Sequence, residues 1–418
     1  MKDFFLKYQY QLYLFSICIL WIIILNFFLQ IFKQNYIYSD TESYIRASTD
    51  LYLKYKPNDI RPSLIAAING LPLLFGLNKS ALFNWNMVIN LAFWFATVLF
   101  IYSLCSKLIT KKAAFYLALI YVFTLGSLLI VFEFLSETVF TFFLLISLVL
   151  FQKFNSSKKI LFLSIAFSTI VLSMLIKPAS LFLFVGVCVL FGLGELKKFI
   201  GSKFSVIVYI SLFIVFGHMH FMKSNYGNYT ISYIDSFTYY NYLGTKADCL
   251  KTKKEFIQCN NERYRYFNTF SLPDGKKVAY EDIKKQVSNN KFNLIRAYFS
   301  NMTGNSSKAS GYFYMFENKN NASNFEIYKL IFRGISRLQT LFYSLIGLLL
   351  SIRILTRSNE TKIIKITAFT ILYIISISAI SSDQADRFHI VFYPLVLILI
   401  AKFCSVNKIK LFSEPLQK

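Results

Sequence analysis

The sequence predicts an all-α polytopic membrane protein. Of its 418 residues 56% are hydrophobic, and the mean hydropathy is +0.49. Apolar runs of about 18 residues or more recur, each long enough to cross a hydrocarbon core of about 30 Å. Lys and Arg cluster in alternate tight loops, the pattern that keeps those loops in the cytoplasm. Together these features predict a helical bundle of about ten spans, with both termini inside and one long outer loop or small domain.

The first apolar run covers residues 13–32, behind an inner segment that carries Lys2 and Lys7. It is too long for the core of a signal peptide and has no small-residue cleavage site behind it, so it reads as a span. Residues 36–62, YIYSDTESYIRASTDLYLKYKPNDIRP, are the most polar stretch of the first half, with Asp40, Glu42, Asp50 and Asp59. Residues 63–76 are apolar but short and interrupted by Pro72, as in an interfacial or re-entrant helix. Spans are expected at 82–106, 113–132, 138–151, 160–176, 180–193 and 204–222. Three lysine clusters mark the inner turns: Lys107, Lys111 and Lys112; Lys153, Lys158 and Lys159; Lys197, Lys198 and Lys203.

Residues 223–326 contain no spanning stretch and are rich in Tyr, Asn and Lys. A loop of that length is usually functional or a small domain. Spans resume at 341–355, 363–380 and 388–403. Arg353, Arg357 and the tail lysines Lys408, Lys410 and Lys418 mark the inner side, while Arg333 and Arg337 are outer cations outside the rule. Three units follow: a membrane module at 1–222 that includes the outer loop 33–81, an outer loop domain at 223–326, and C-terminal membrane helices at 327–418.

The formal net charge of +24 is explained by inner loops that meet anionic headgroups, and no nucleic-acid module is visible. Cys18, Cys105, Cys188 and Cys404 lie in or beside apolar runs and read as packing residues. Cys249 and Cys259 lie in the outer loop, where a disulfide can persist, and the sequence leaves open whether they form one. His218 and His220 form an HxH with no third ligand, so no metal site is assigned there. Asn228 and Asn301 head sequons of the kind an Asn-rich chain holds by chance. The stretch YIDSFTYYNYLG at 233–244 is open to two readings, a sugar-stacking surface or the packed base of a small domain.

Ionisable groups at the outer ends of the expected spans come from distant parts of the chain. The carboxylates are Asp40, Glu42 and Glu137; the cations are Arg61, Lys177 and Arg387; Tyr44 lies among them. Charges near lipid are costly and are functional candidates by default. A carboxylate can take a proton from an attacking hydroxyl. Cations can hold a phosphate and stabilise its charge as it leaves. Glu137 has a second reading as a helix N-terminal acid, and Arg387 as an interfacial anchor.

Five motifs occur in order: YSDTESY at 38–44, DIRPSLIAAINGLPLLFG at 59–76, FLSETVF at 134–140, LIKPASL at 175–181 and ADRFHIVFYPLVLIL at 385–399. In that order and sidedness the chain resembles the GT-C superfamily of polyprenyl-phosphate-sugar-dependent membrane glycosyltransferases. That group includes protein O-mannosyltransferases, lipid A aminoarabinose transferases and bacterial O-antigen-modifying glucosyltransferases. The resemblance covers nearly the whole chain except the long loop. Lys177 stands where many relatives carry Arg, and Glu42 is offset by two from Asp40 where a neighbouring acid is usual.

The resemblance implies a catalytic base at Asp40, with Glu42 and Glu137 as further catalytic candidates. It implies substrate and phosphate binding by Tyr44, Arg61, Lys177 and Arg387. It implies inverting transfer of a sugar from a polyprenyl phosphate to a hydroxyl of an O-antigen or other surface glycan or glycolipid. The site would face the periplasm from a bacterial inner membrane, among membrane lipids, with a flippase and a donor-synthesising enzyme as partners. No cofactor is required by the motifs, though Glu137 could also bind a divalent cation, Mg or Mn.

Two other classes stay open. An O-antigen or capsule polymerase also has many spans and a long outer loop, but Arg263, Arg265 and Arg296 lack the Arg and Gly spacing such loops often carry. A lipid-linked-sugar transporter would place charges at mid-span and repeat its halves. The topology has a direct test. A cysteine placed at Ser271 should be labelled from outside in intact cells, and one at Ser157 should not; labelling of Ser157 alone would invert the arrangement.

Overall fold

The computed structural model describes residues 2–34 and 36–407, and among them every regular element is helical. The tail marks Lys408, Lys410 and Lys418, and the side chains of Lys2, Lys7 and Lys198, lie outside the described residues. The chain begins with α1 (Lys2–Leu29), the polar-loop helix α2 (Thr41–Leu53) and α3 (Ser63–Gly70), which runs on as a 3-10 turn to Phe75. Asn78 caps α4 (Lys79–Cys105) by accepting from the Ala81 amide at 3.1 Å. Thr110 caps α5 (Lys111–Val122) by accepting from the Ala113 amide at 3.2 Å. After α6 (Leu125–Leu129) come α7 (Glu137–Ser157) and α8 (Ile160–Ser173), joined through Lys158 in the left-handed region at φ 55°. Then come α9 (Ser180–Phe191), α10 (Leu193–Ile200) and α11 (Val206–Tyr226). Gly227 ends α11 at φ 94°, where only glycine is unstrained.

Five segments are long and apolar enough to cross a membrane: Tyr8–Leu29, Lys79–Cys105, Glu137–Ser157, Lys203–Tyr226 and Phe325–Leu355. A sixth is the pair Lys111–Val122 and Leu125–Phe132, bent by 65°. The protein is thus an all-helical, multi-pass membrane protein, but helix length alone does not give the expected ten spans. The runs at 160–176, 180–193 and 388–403 form α-helices of 14, 12 and 14 residues. Pro178 and Pro394, which have no amide hydrogen to donate, lie where the helices break off or begin.

Residues between α11 and the next long helix fold into a helical lobe. It consists of α12 (Ile234–Thr238), a π-helical turn Tyr239–Gly244, α13 (Thr245–Thr252), α14 (Phe256–Phe267), α15 (Leu272–Asn289), α16 (Lys291–Ser307) and α17 (Tyr312–Met315). Its own small core holds Tyr239, Tyr240, Leu243, Ala247, Ala279 and Ala297. Arg263 ties this core together: it pairs with Asp248 at 2.6 Å and Asp282 at 2.9 Å and lies 4.0 Å over the Tyr240 ring. The Tyr-rich stretch therefore packs the lobe at Tyr239 and Tyr240. Cys249 and Cys259 are buried free thiols. Burial, and then the neighbouring Cys259 thiol, push Cys249 up to about 12.

The chain returns through α18 (Phe325–Leu355), α19 (Lys362–Ser378) and α20 (Tyr393–Val406). Helix α16 grips the turn between α19 and α20. Asn301 donates to the carbonyls of Ala379 at 3.2 Å and Ser381 at 2.6 Å. Asn305, one helical turn on, accepts from the Gln384 amide at 2.8 Å. With Asn301 2% exposed, its sequon offers no acceptor for a glycan. Between the two asparagines, Gly304 leaves room for the Asp383 carboxylate, which pairs with Lys308; a Cβ at Gly304 would overlap that carboxylate.

Gly304→Ala should therefore destabilise the fold by about 1–3 kcal/mol, as overpacking does. Gly334→Ala, on a face of α18 with open space around it, should instead gain up to about 1 kcal/mol of helix propensity. Thermal unfolding of the two variants in one detergent checks the opposite signs.

Candidate functional site

The polar loop after α1 ends at Asp40, whose backbone carbonyl opens α2. Arg61 lies just before α3, with its amide bound to the Asn58 side chain at 2.9 Å. Glu137 is the first residue of α7, and Lys177 follows α8. The turn before Glu137 is held by two buried asparagines one turn apart on α4: Asn86 donates to the Glu133 carbonyl at 2.7 Å and Asn90 at 3.2 Å. Arg387 lies in a 3-10 turn, Ala385–Phe388, that follows the segment gripped by α16. Ala385 takes φ 55° there, a left-handed conformation that costs a residue with a Cβ about 1 kcal/mol or more and persists only where its surroundings fix it.

These elements bring five charges into one network. Arg387 donates from Nη1 to Asp40 Oδ2 at 2.8 Å and from Nε to Glu137 Oε1 at 3.0 Å. The other Asp40 oxygen receives Arg61 Nη2 at 2.9 Å. Glu137 Oε1 also receives Lys177 Nζ at 2.9 Å, and its Oε2 accepts from the Ser136 amide at 3.0 Å. The Gln384 side chain accepts from Arg387 Nη1 at 2.8 Å. Arg61 Nε donates to Ser43 Oγ at 2.8 Å, and its guanidinium lies 4.2 Å over the Tyr44 ring. Tyr44 in turn shares a hydrogen bond with Ser136 Oγ at 2.9 Å, which links the α2 side to the α7 side.

The network is buried at one end and open at the other. Glu137 is fully buried and Arg387 is 4% exposed, while the Asp40 side chain keeps 26% of its surface and Lys177 keeps 20%. Burial works against a charge on Asp40, but Arg387 and Arg61 outweigh it and hold its carboxyl below the usual range. Glu133 goes the other way. Burial pushes it up to about 8, with Arg387 working against the shift and Glu137 adding to it.

Of the residues singled out from sequence, Asp40, Tyr44, Arg61, Glu137, Lys177 and Arg387 come together. Glu42 does not. Two positions past Asp40 on α2 it points to the surface and pairs with Lys79 at 2.8 Å, both partners exposed. Ser43, Gln384 and Tyr38 were not singled out, although Gln384 and Arg387 are three apart, the separation that meets in a 3-10 turn. Tyr38 lies 5.0 Å from the Arg387 guanidinium carbon.

The carboxylates do not suit a divalent cation. Both oxygens of Asp40 and both of Glu137 are engaged by protein donors, and no group of three or more His, Cys, Asp or Glu with metal-site geometry occurs among the described residues. His218 is buried against the Ile231 carbonyl at 2.8 Å. No family model, curated protein or solved structure matches the chain.

Removing one partner from a buried charge network leaves the others unpaired, at a cost of roughly 3–5 kcal/mol. Glu137→Gln should lower stability by about that much, because Lys177 loses its carboxylate and Arg387 one of two. Glu42→Gln, at an exposed pair, should change it by less than about 1 kcal/mol. Chemical denaturation in detergent would separate the two, and equal losses would contradict the geometry.

Proposed function

We propose that this protein is a membrane glycosyltransferase, moving a sugar from a polyprenyl phosphate to a hydroxyl of an extracytoplasmic glycan. The observation that carries the reading is the charge balance of the network. Two carboxylates, Asp40 and Glu137, face three cations, Arg61, Lys177 and Arg387, so one positive charge is left over. A polyprenyl phosphosugar is a phosphodiester with one negative charge, and its lipid tail suits the apolar helices alongside.

In the proposed reaction the acceptor oxygen attacks the anomeric carbon, and its proton passes to Asp40. The bond from the anomeric carbon to the phosphate oxygen breaks, and its electron pair leaves with the phosphate. The phosphate gains a second negative charge in that step. Arg61, Lys177 and Arg387 therefore interact more strongly with the departing group than with the bound donor, which lowers the barrier rather than merely tightening binding. Asp40 is a weak base while two guanidinium groups hold it. A donor phosphate that draws Arg61 and Arg387 toward itself would loosen that hold and raise the basicity of Asp40 at the time it is needed.

The same reading supplies the arrangement in the membrane: about ten spans once the short apolar helices are counted, the helical lobe outside, and the site at the outer surface of a bacterial inner membrane. Glu137 is assigned a positioning role, because its oxygens are filled by Lys177, Arg387 and the Ser136 amide.

Asp40→Asn keeps the shape and removes the base. Transfer from a polyprenyl phosphosugar by the purified variant should fall by about 10²–10⁴, the usual cost of losing a general base, with donor binding retained and folding matched to wild type. Near-normal turnover would remove Asp40 from the reaction.

A further inference from the structure

One group of buried polar atoms has no part in the reaction just described. The carboxyl of Glu133 is poorly paired, with only the Tyr38 amide, which donates to Thr41 Oγ1, close enough to favour its charge, and the hydroxyls of Tyr36 and Tyr312 have no partner. Glu133 is fully buried and Tyr312 is 2% exposed. The three come from distant segments: the loop after α1, the turn before α7, and α17 of the lobe. Their rings form a chain that ends at the charge network. Tyr36 lies 6.4 Å from Tyr312, Tyr312 lies 6.1 Å from Tyr38, and Tyr38 lies 5.0 Å from the Arg387 guanidinium carbon. Glu133 acts electrostatically on all three tyrosines and feels the charges of Arg387 and Glu137. Phe132 stacks on Tyr36 at 5.2 Å, and Phe316 meets it edge-on at 6.0 Å.

A buried donor or acceptor without a partner is costly, and nearly all such groups in folded proteins are paired. Four such poorly paired atoms in one neighbourhood call for a guest that pairs with them. Its chemistry is constrained. Tyrosine hydroxyls both donate and accept, and a buried Glu133 that keeps its proton does the same, so the guest must offer donors and acceptors. Burial favours the neutral form of Glu133, so this group offers hydrogen bonds more than a full charge. The aromatic walls suit the C–H faces of a ring. A neutral ring bearing hydroxyls meets all three conditions. In a sugar phosphate that ring is joined directly to the phosphate oxygen, so its site must adjoin the cations that hold the phosphate.

We propose that Tyr36, Glu133 and Tyr312 form the subsite for the sugar hydroxyls of the donor, on the Tyr38 flank of Arg387. The assignment rests on the glycosyltransferase reading and names which part of the donor each region takes: the phosphate goes to Arg61, Lys177 and Arg387, the sugar to the hydroxyls and carboxyl of the tyrosine cluster. Tyr38, half-buried between Arg387 and Tyr312, is the boundary between the two regions.

The test compares binding of two kinds of probe to the purified protein in lipid nanodiscs. One is polyprenyl methyl phosphate, with a single charge and no sugar. The other is a polyprenyl phosphate carrying glucose, galactose, mannose or arabinose. Wild type is expected to bind at least one sugar-bearing probe about tenfold or more tighter than the methyl ester. Tyr36→Phe, Tyr312→Phe and Glu133→Leu should each weaken that probe by about tenfold and leave the methyl ester unchanged. Glu133→Gln, which still donates and accepts, should keep the preference at neutral pH and serves as the folding control. Equal weakening of both probes, no weakening in any of the three variants, or a wild type with no preference for any sugar-bearing probe would overturn the subsite. Failure of the wider reading looks different: there neither probe binds, or Arg61→Gln leaves the affinity for both untouched.

Discussion

Arg387 lies almost fully buried between two carboxylates, and much of the surrounding fold follows from keeping it paired. A guanidinium cannot be taken out of water without partners that satisfy its fork of donors. Asp40 and Glu137 supply two of them, and each carboxylate in turn takes a second cation. That requirement draws the segment after α1, the approach to α3, the start of α7 and the end of α8 to one point. The lobe takes part as well, since α16 fixes the turn from which Arg387 projects. Helices with nothing polar on their outer faces can slide against one another at little cost in lipid; a shared buried charge removes that freedom.

Much of the site was legible in the chain because charge is rare in it. In a sequence that is 56% hydrophobic and 16% charged, acids and cations at the ends of apolar runs stand out, and five of the six charged candidates lie in the network. The exception is Glu42. Its distance from Asp40 in sequence is small, but a helix turns by about 100° per residue, so two residues carry a side chain to the opposite face. Periodicity alone did not tell which of the two acids would face inward; only the resemblance favoured Asp40. Glu133 was not among the candidates. Nothing in its neighbours foretold that it would be buried and poorly paired, since Tyr36 and Tyr312 are nearly 280 residues apart and meet only in the fold.

The span count was less legible. Hydropathy measures how apolar a run is, not whether its backbone stays one straight helix. The run at 113–132 is apolar throughout, yet it bends by 65° between α5 and α6. The lobe was legible as a unit only through what it lacks, an apolar stretch long enough to span. Its core draws single residues from several helices around Tyr239 and Tyr240, with Arg263 over the Tyr240 ring, a combination with no periodic signature.

The short helices carry a further consequence. At 1.5 Å per residue, α8 and α20 each cover about 21 Å and α9 about 18 Å, against a hydrocarbon core of about 30 Å. Lys177 comes directly after α8, and Arg387 shortly before α20. Of the three only α9 has an exposed apolar face, at Leu181, Phe182, Val185 and Val189; α8 has no exposed position and α20 is buried over most of its length. Lipid therefore meets the shortest wall of the bundle at α9, next in the chain to Lys177, and the acyl-chain length of the host membrane becomes a property of that side of the protein.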